Sequence, residues 1–387
     1  MLNDTIKNKR IRFGIGITCG ASCLGVDAAL VRIKGAGPGM HIKLVAHEHT
    51  PFPVGLRSRL LTLRKDVHEL ARLHVKLGEF MADAAQTMKQ KAAEELEEAD
   101  FIAAQGFVAS HAPYRMQRPD VGLLHLGDPA YIAETTRLPV VSDFSARDMA
   151  AGGQGLPLSG YPDWLLFARD DRTVACLHLG AFGAITLVPP ALEYIQCFHT
   201  GPCNIAIDGL IQLTHAGNRD RDKDGAMAAK GKVIDEFHET LLGHPFFNRV
   251  PPKSTSREEF NPETYLREAI EQRKSAHSVP DLAATVTSAV ATSMARAYNR
   301  FIRPTHEVSR LILSGGGAKN PTLVGYIRKS IPEATLRHSS EYGLDGMALD
   351  PIRIAVLGNE TLCGHPSNVP VATGARRAVM LGRITPP

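Results

Sequence analysis

Four loops carry the residues whose types and spacing could support chemistry. Each is rich in glycine or proline and lies at the predicted end of a strand or start of a helix, where backbone N–H groups and the helix dipole attract anions. That placement suits the handling of phosphate groups, although glycines in any one loop can also serve only to permit a tight turn. The loops are CGASCLG (Cys19 to Gly25), AAGGQGLPL (Ala150 to Leu158), HTGPCN (His199 to Asn204) and SGGGAKNP (Ser314 to Pro321).

The third loop places a histidine and a cysteine four residues apart. Cys203 precedes the predicted helix Asn204 to Thr214, and a helix N-terminus lowers the pKa of a thiol. His199 would supply the base of a Cys/His nucleophile pair, and a buried, unreactive cysteine is the alternative interpretation. The six cysteines do not follow a zinc-binding spacing, so we predict no metal site.

Strands and helices alternate along the chain, which indicates an α/β protein. Helix periodicity and β-prone runs predict the elements, with Asp281 as a helix N-cap, and two polar segments are predicted loops. No internal repeat is found in the sequence. Predicted strands are Ile11 to Ile17 and Ala28 to Lys34 as a hairpin, Phe101 to Ala109, Leu138 to Ser142, Val174 to Leu179 with Ile185 to Val188, and Arg310 to Ser314. Predicted helices are Asp66 to Ala99, Asn204 to Thr214, Lys232 to Leu242, Asp281 to Phe301 and Pro321 to Lys329, and the loops are Asn218 to Asp224 and Pro251 to Pro262.

The composition limits the classes of function. A chain of 387 residues with 44% hydrophobic residues can fill two cores. Its 44 basic and 40 acidic residues are mixed, so nucleic acid and anionic membranes are not expected partners. Scattered cysteines and the absence of a signal-type or membrane-spanning apolar run predict a cytoplasmic protein.

Longer strings around these loops resemble one family. DFSARDMAAGGQGLPL, from Asp143, is similar to the family pattern DFRxxDxAxGGQGAPL, and HTGPCNIAID, from His199, is similar to DTGPGNxxxD. The resemblance is to the anhydro-N-acetylmuramic acid kinases, relatives of levoglucosan kinase, and it covers essentially the whole chain. Further matching strings are KDGAMAAKG (Lys223 to Gly231), HPFF with PPKSTSREEF (His244 to Phe260), LILSGGGAKNP (Leu311 to Pro321) and TGARRAVMLGRITP (Thr373 to Pro386).

The resemblance implies a two-lobed sugar-kinase fold of the actin, Hsp70 and hexokinase superfamily. Each lobe would hold a mixed sheet with flanking helices, and a small-molecule ligand would bind in the cleft between lobes. The expected lobes are 1–137, completed by about 366–387, and 138–365. In the family, a base activates water to open the sugar's anhydro ring, and ATP with Mg²⁺ supplies the phosphoryl group. A homodimer is implied as well.

The family's site residues can be carried over position by position. The catalytic base position is His199, and we add Cys203 as a second candidate catalytic residue. Cofactor-binding positions are Gly20, Ser22, Gly25, Gly201, Asn204, Gly315, Gly316, Gly317 and Asn320. Substrate-binding positions are His111, Asp143, Asp148, Gln154 and Asp224.

Several of these loops depart from the family pattern. His199 stands where the family has Asp, and a histidine can act as a general base near neutral pH but places its nitrogens differently from carboxylate oxygens. In the first loop, Ala21 and Leu24 replace Thr and Asp, and Leu24 offers no oxygen to Mg²⁺. Ser145 replaces an Arg, and Ala184 replaces an Asn.

Three hypotheses follow from this mixture of retained and lost residues. A kinase fold without phosphoryl transfer, acting as a pseudokinase or ligand-binding scaffold, fits the pattern best. An active anhydro-sugar kinase with His199 as the base is the second, and ATP and Mg²⁺ are then the cofactors. The third is a different small-molecule reaction in the same place, using His199 and Cys203.

Overall fold

A computed structural model describes residues 2–62, 66–113, 120–168, 172–215, 217–273 and 276–387. The strands of the described residues are β1 Ile11–Cys19, β2 Gly25–Lys34, β3 His41–Pro51, β4 Phe101–Gln105, β5 Phe107–Ala112, β6 Gly122–Leu126, β7 Val140–Ser142, β8 Val174–Leu179, β9 Phe182–Val188, β10 Gln196–Pro202, β11 Arg310–Ser314, β12 Thr335–His338 and β13 Arg383–Thr385.

The α-helices are numbered in the same way, and short 3-10 helices lie between some of them. The α-helices are α1 Leu2–Lys7, α2 Val54–Leu61, α3 Val67–Glu94, α4 Pro129–Thr136, α5 Phe144–Ala150, α6 Gly160–Phe167, α7 Asn204–Thr214, α8 Asp235–Leu242, α9 Pro262–Tyr265, α10 Arg267–Glu271, α11 Val279–Phe301, α12 Pro321–Ser330, α13 Leu349–Cys363 and α14 Pro370–Thr373. The 3-10 helices are Gly37–Gly39, Leu192–Tyr194, Lys223–Gly225, Ala228–Lys230, Pro245–Asn248, Gly316–Lys319 and Ser339–Tyr342.

The chain divides into two compact units, Met1–Phe167 with Met347–Pro387, and Ala168–Gly346. This division differs from the predicted one, which began the second lobe at Leu138 and returned to the first at about 366. The reason is strand pairing, because β7 lies beside β4 in the sheet of the first unit. The helix α13 also belongs to that unit, where the Pro351 carbonyl lies against Gly16 of β1.

The first unit contains a mixed sheet in the order β13-β7-β4-β1-β2-β3. Strands β1, β2 and β3 form an antiparallel meander, and β4 and β7 continue the sheet in parallel. The long helix α3 is preceded by its N-cap Asp66, whose carboxylate accepts the N–H of His68 at 2.9 Å. Its apolar face, including Leu73, Leu77 and Met81, joins the buried residues of β1 and β2 in one core.

The second unit contains a mixed sheet in the order β10-β9-β8-β11-β12. Strands β8, β9 and β10 are again an antiparallel meander, followed by β11 and β12 in parallel. The helices α7 and α11 pack their buried faces against β8, β9 and β11. The predicted α/β class with a mixed sheet in each unit is therefore confirmed.

Most predicted elements are present, with three corrections. Phe101 to Ala109 is not one strand, because β4 ends at Gln105 and β5 starts at Phe107. Gly106 lies between them, and a Cβ there would collide with the Leu126 carbonyl. The HTGP part of the third loop is strand β10 rather than loop. The N-cap of α11 is Ser278, and Asp281 is the third helical residue of a capping box with it.

The helices of the described residues do not include one long and apolar enough to cross a membrane.

Candidate functional site

The His199 backbone is fixed at an irregularity in the edge strand of the second unit. Strand β10 pairs antiparallel with β9, and the register shifts between His199 and Gly201. A bulge of this kind turns side chains away from the regular alternation and is frequent beside active sites. On its other side, the N–H of His199 donates to the Lys253 carbonyl at 3.1 Å. His199 is consequently held by both β9 and the segment that contains Lys253.

The imidazole of His199 is fixed by two residues that follow Lys253. Its Nδ1 accepts the backbone N–H of Thr255 at 3.1 Å and lies 3.1 Å from the Ser254 hydroxyl oxygen. Since a backbone amide nitrogen only donates, Nδ1 carries no proton, and the neutral ring has its proton on Nε2. The lone pair that a general base needs is therefore the one already bonded to Thr255.

Lys253 is itself in an unusual environment. Its side chain is 4% exposed, and its ammonium lies 4.6 Å from the centre of the Phe246 ring and 5.3 Å from that of Phe301. Burial, together with the nearby positive charges of Arg300 and Arg249, lowers the pKa of Lys253 to about 8. The PPKST string that contains Lys253 was found to match the family pattern, but no role was predicted for Lys253, Ser254 or Thr255. The close match of that string to the family pattern was the available signal.

Cys203 does not have the reactive environment that was predicted. The residue is fully buried in the core of the second unit. Burial raises the pKa of its thiol well above the usual range, although a hydrogen bond from the Asn204 backbone opposes the shift. The helix N-terminus fails to lower this pKa because burial outweighs it, and a Cys/His nucleophile pair is not supported.

The N-terminus of α7 is occupied by the turn between β8 and β9. The backbone N–H groups of Cys203 and Ile205 donate to the Ala181 carbonyl at 2.9 and 3.1 Å, and that of Asn204 donates to the Gly180 carbonyl at 3.1 Å. These N–H groups therefore serve the fold, contrary to the anion-binding role expected of the third loop. The Asn204 side chain extends the same arrangement, because its amide donates to the Leu179 carbonyl at 2.9 Å.

The Gly-rich loop after β11 lies next to this turn. A Cβ on Gly315 would lie 2.9 Å from the Leu179 backbone, and one on Gly317 would lie 2.8 Å from the Leu179 side chain. Packing thus explains two of the three glycines. A Cβ on Gly316 would have only the Asn204 side-chain amide within 4 Å, at 3.7 Å. The structure brings Asn204 and Gly315 to Gly317 together, and their role in binding a cofactor stays a prediction.

Two further predicted positions lie at the start of α12. Asn320 caps that helix by accepting the N–H of Leu323 at 3.0 Å. It also lies against Gly225, whose carbonyl accepts the Thr322 hydroxyl at 2.9 Å. The preceding Asp224 is exposed and has a left-handed backbone with φ of 55°. These contacts join the Asp224 segment to the helix that follows the Gly-rich loop.

A neighbouring aromatic ring leaves no room for a side chain at Gly201. Its φ is 142°, and a Cβ there would lie 2.6 Å from the Phe247 ring. Phe247 belongs to the HPFF string, so two of the matching strings pack against each other.

In the first unit, the predicted positions of the first loop form the turn between β1 and β2. The Gly20 carbonyl accepts the N–H of Cys23 at 3.0 Å. Gly25 is buried, and a Cβ there would collide with the Thr50 carbonyl. Gly20 is exposed and Ser22 is partly exposed, so the tip of the turn is the accessible part of this loop.

His111, Gln154 and Asp148 are brought together in the same unit. The His111 Nε2 lies 2.8 Å from the Gln154 carbonyl, and His111 is 3% exposed. The Asp148 carboxylate is fully buried, where it accepts the N–H of Gly155 at 2.9 Å and the Asn368 amide at 3.0 Å. Asp148 consequently shapes the GGQG loop, and its contacts are with the protein rather than with solvent.

Asp143 occupies a different position, immediately before α5. It has a left-handed backbone with φ of 56°, and its carboxylate pairs with Arg383 at 3.2 Å. Burial raises the pKa of Asp143, and the Arg383 charge opposes that shift.

Within the described residues, no group of three His, Cys, Asp or Glu side chains converges on one point. The Leu24 side chain has no oxygen to offer a cation.

Comparison with known proteins decides the family. A sequence model described as anhydro-N-acetylmuramic acid kinase matches residues 12–387. The chain belongs to the anhydro-N-acetylmuramic acid kinase family. A family member from Caldanaerobacter subterraneus subsp. tengcongensis is 34% identical, with 98% of each chain covered. Another, from Clostridioides difficile, is 35% identical and covers 97% of this chain and 98% of its own.

Solved structures with similar folds are more distant from this family member. A ROK family glucokinase from Streptomyces griseus, in complex with glucose and AMPPNP, has a TM-score of 0.39 at 14% identity and covers 89% of this chain and 98% of its own. The activator of the 2-hydroxyisocaproyl-CoA dehydratase from Clostridium difficile, with bound ADPNP, has a TM-score of 0.41 at 12% identity and covers 90% of this chain and 95% of its own.

Proposed function

We propose that this member of the family binds a small-molecule ligand of the family's kind but does not transfer a phosphoryl group to it. It would act as a pseudokinase or ligand-binding scaffold. Membership of the family supports an anhydro-sugar, of the anhydro-N-acetylmuramic acid type, as the ligand class.

One observation carries this proposal, namely the bond between the Thr255 N–H and Nδ1 of His199. General-base catalysis needs a lone pair within reach of the water that loses its proton. In His199 that lone pair faces Thr255, and the other ring nitrogen carries the proton. Accepting a proton would require the ring to break this bond inside a site where His199 is 9% exposed.

Two other replaced side chains also support the absence of phosphoryl transfer. Leu24 stands where the resemblance expects a carboxylate, and Ser145, where it expects an Arg, is fully buried. A buried serine cannot replace the charge and reach of a guanidinium toward phosphate. The burial of Cys203 argues against a new nucleophile at the same place.

The proposal is tested by measuring binding and phosphoryl transfer separately. Calorimetry with ATP, with and without Mg²⁺, and with 1,6-anhydro-N-acetylmuramic acid measures binding by the wild-type protein. A coupled assay for ADP measures transfer. We expect ligand binding without transfer, and a rise of about 10²-fold or more over background in His199→Asp, which restores a positioned carboxylate.

His199→Asn is the matched control, because it has the size of Asp but cannot accept a proton from water. Transfer by the wild-type protein that disappears in His199→Asn would refute the proposal and establish an active kinase with His199 as its base. Turnover of the bound sugar without ADP formation would instead indicate a different reaction at this site.

A further inference from the structure

The Thr255 that holds His199 is itself held by a buried carboxylate. Its hydroxyl donates to Oε2 of Glu259 at 2.8 Å. The Glu259 side chain is 8% exposed, so water competes little for this bond. Thr255 therefore has two anchored ends, its backbone N–H on His199 and its hydroxyl on Glu259.

Glu259 is fixed in turn by Arg249. Two guanidinium nitrogens of Arg249 contact the two carboxylate oxygens, one pair at 3.0 Å and the other closer. A two-point pair of this kind sets the orientation of the carboxylate as well as its position. The Arg249 guanidinium also lies 5.2 Å from the centre of the Phe246 ring, the same ring that Lys253 contacts.

These contacts form a continuous connection from Arg249 through Glu259 and Thr255 to His199. We infer that Glu259 is a positioning residue: by holding the Thr255 hydroxyl it aims the Thr255 N–H at Nδ1 and keeps the proton of His199 on Nε2. The inference rests on the proposed function, since it explains why a ring at the family's base position is kept in a form that donates.

The inference is tested by the tautomer of His199 in the full-length protein. ¹⁵N NMR of histidine-labelled protein distinguishes a protonated from an unprotonated ring nitrogen, and the signals of His199 are those lost in His199→Asn. In the wild-type protein we expect Nδ1 unprotonated and Nε2 protonated, without averaging between the two.

Thr255→Val is the decisive variant, because it removes the hydroxyl and keeps the backbone N–H and the shape. We expect averaged His199 shifts in Thr255→Val, with the minor tautomer raised about tenfold. Thr255→Ser keeps the hydroxyl and should retain the wild-type signals. Glu259→Gln retains an acceptor oxygen without the charge, and should give an intermediate change.

Wild-type His199 signals in folded Thr255→Val and Glu259→Gln would overturn the inference. Thermal unfolding of each variant shows whether it is folded, and a purely structural role would lower stability without changing the tautomer. The readout is independent of phosphoryl transfer. A transferring enzyme with a fixed Nε2–H tautomer would refute the proposed function alone, and a non-transferring protein with an unfixed ring would refute this inference alone.

Discussion

Burial of the charged Lys253 side chain destabilises the second unit by an amount that depends on pH. Its ammonium is removed from water and lies near Arg249 and Arg300, and both effects disfavour the charged form. The rings of Phe246 and Phe301 return part of this cost through cation–π attraction, worth about 0.5 to 2 kcal/mol. A neutral side chain of similar size would be easier to bury at this position.

Lys253 gives a pH dependence of stability whose sign is defined. Its pKa is about 8 in the folded protein against 10.5 as the reference, so between these values the unfolded chain binds more protons than the folded one. Stability from this residue therefore rises with pH across that window. Relative to Lys253→Met, the wild-type protein should gain about 1 to 3 kcal/mol from pH 8 to pH 10.5, measured by urea denaturation.

Lys329→Met removes a charge at an exposed helical position and is the control for Lys253→Met. A difference between wild type and Lys253→Met that stays constant across the window would contradict the lowered pKa.

At the residue scale, the sequence was enough to single out His199, but it could not show which ring nitrogen carries the proton. The position of His199 in a matching string identified the site, yet the group that sets its tautomer is Thr255, 56 residues further along the chain. Cys203 illustrates the same limit. Its place before a helix was predicted correctly, and the structure favours the buried, unreactive cysteine over the reactive one. The sequence could not decide between them, because burial depends on packing partners that are distant along the chain.

The site in the second unit depends on how strand β10 is shaped at its end. The bulge at His199 is followed by Gly201, whose backbone allows the Phe247 ring to lie directly against it. A side chain on Gly201 would have to displace that ring and would also favour a different φ. This strand end is therefore specified by sterics rather than by hydrogen bonding alone.

Gly201→Ala should destabilise the protein by about 2 to 4 kcal/mol, from the strained φ together with the collision with Phe247. Gly217→Ala separates the two effects, because Gly217 has a φ of 80° but no atom within 4 Å of the added Cβ. It should cost only about 1 kcal/mol. Urea denaturation measures both, and equal losses would show that Phe247 moves aside freely.

At the element scale, long periodic segments were predictable and short, irregular ones were not. The helix α7 was predicted with the bounds that it has, since its apolar residues recur at helical spacing. The break at Gly106 depends on the close Leu126 carbonyl of a neighbouring strand, which the β-prone run does not reveal. The N-cap of α11 was predicted to be Asp281, although Ser278 lies three residues earlier, at the spacing of a capping box.

The two units repeat one topology that the sequence does not display. Each has an antiparallel meander of three strands, followed by two parallel strands beside the first strand of that meander. The core residues of the two units share this arrangement without a shared sequence pattern, because many apolar side chains can fill the same layers. Pairing of β7 with β4 was equally hidden, and it moved the unit boundary beyond the predicted one.

The two units differ in whether one continuous segment of chain contains everything needed to fold them. Ala168–Gly346 is continuous and contains its own sheet and core. The other unit is built from two separated segments, and its sheet needs the second of them, because α13 lies on β1 and β4 through close contacts at Gly16 and Gly358. Strand β13 at the sheet edge also comes from that segment.

We therefore expect a fragment of residues 168–346 to fold by itself, and a fragment of residues 1–167 to remain unfolded. The first should show dispersed NMR signals, a cooperative urea transition and the His199 tautomer of the full chain, because Thr255 and Glu259 lie within it. The second lacks α13 and would expose the buried faces of β1 and β4. Adding residues 347–387 through a short linker after Phe167 should restore its folding. A fragment 168–346 without a cooperative transition would show that its core needs the rest of the chain.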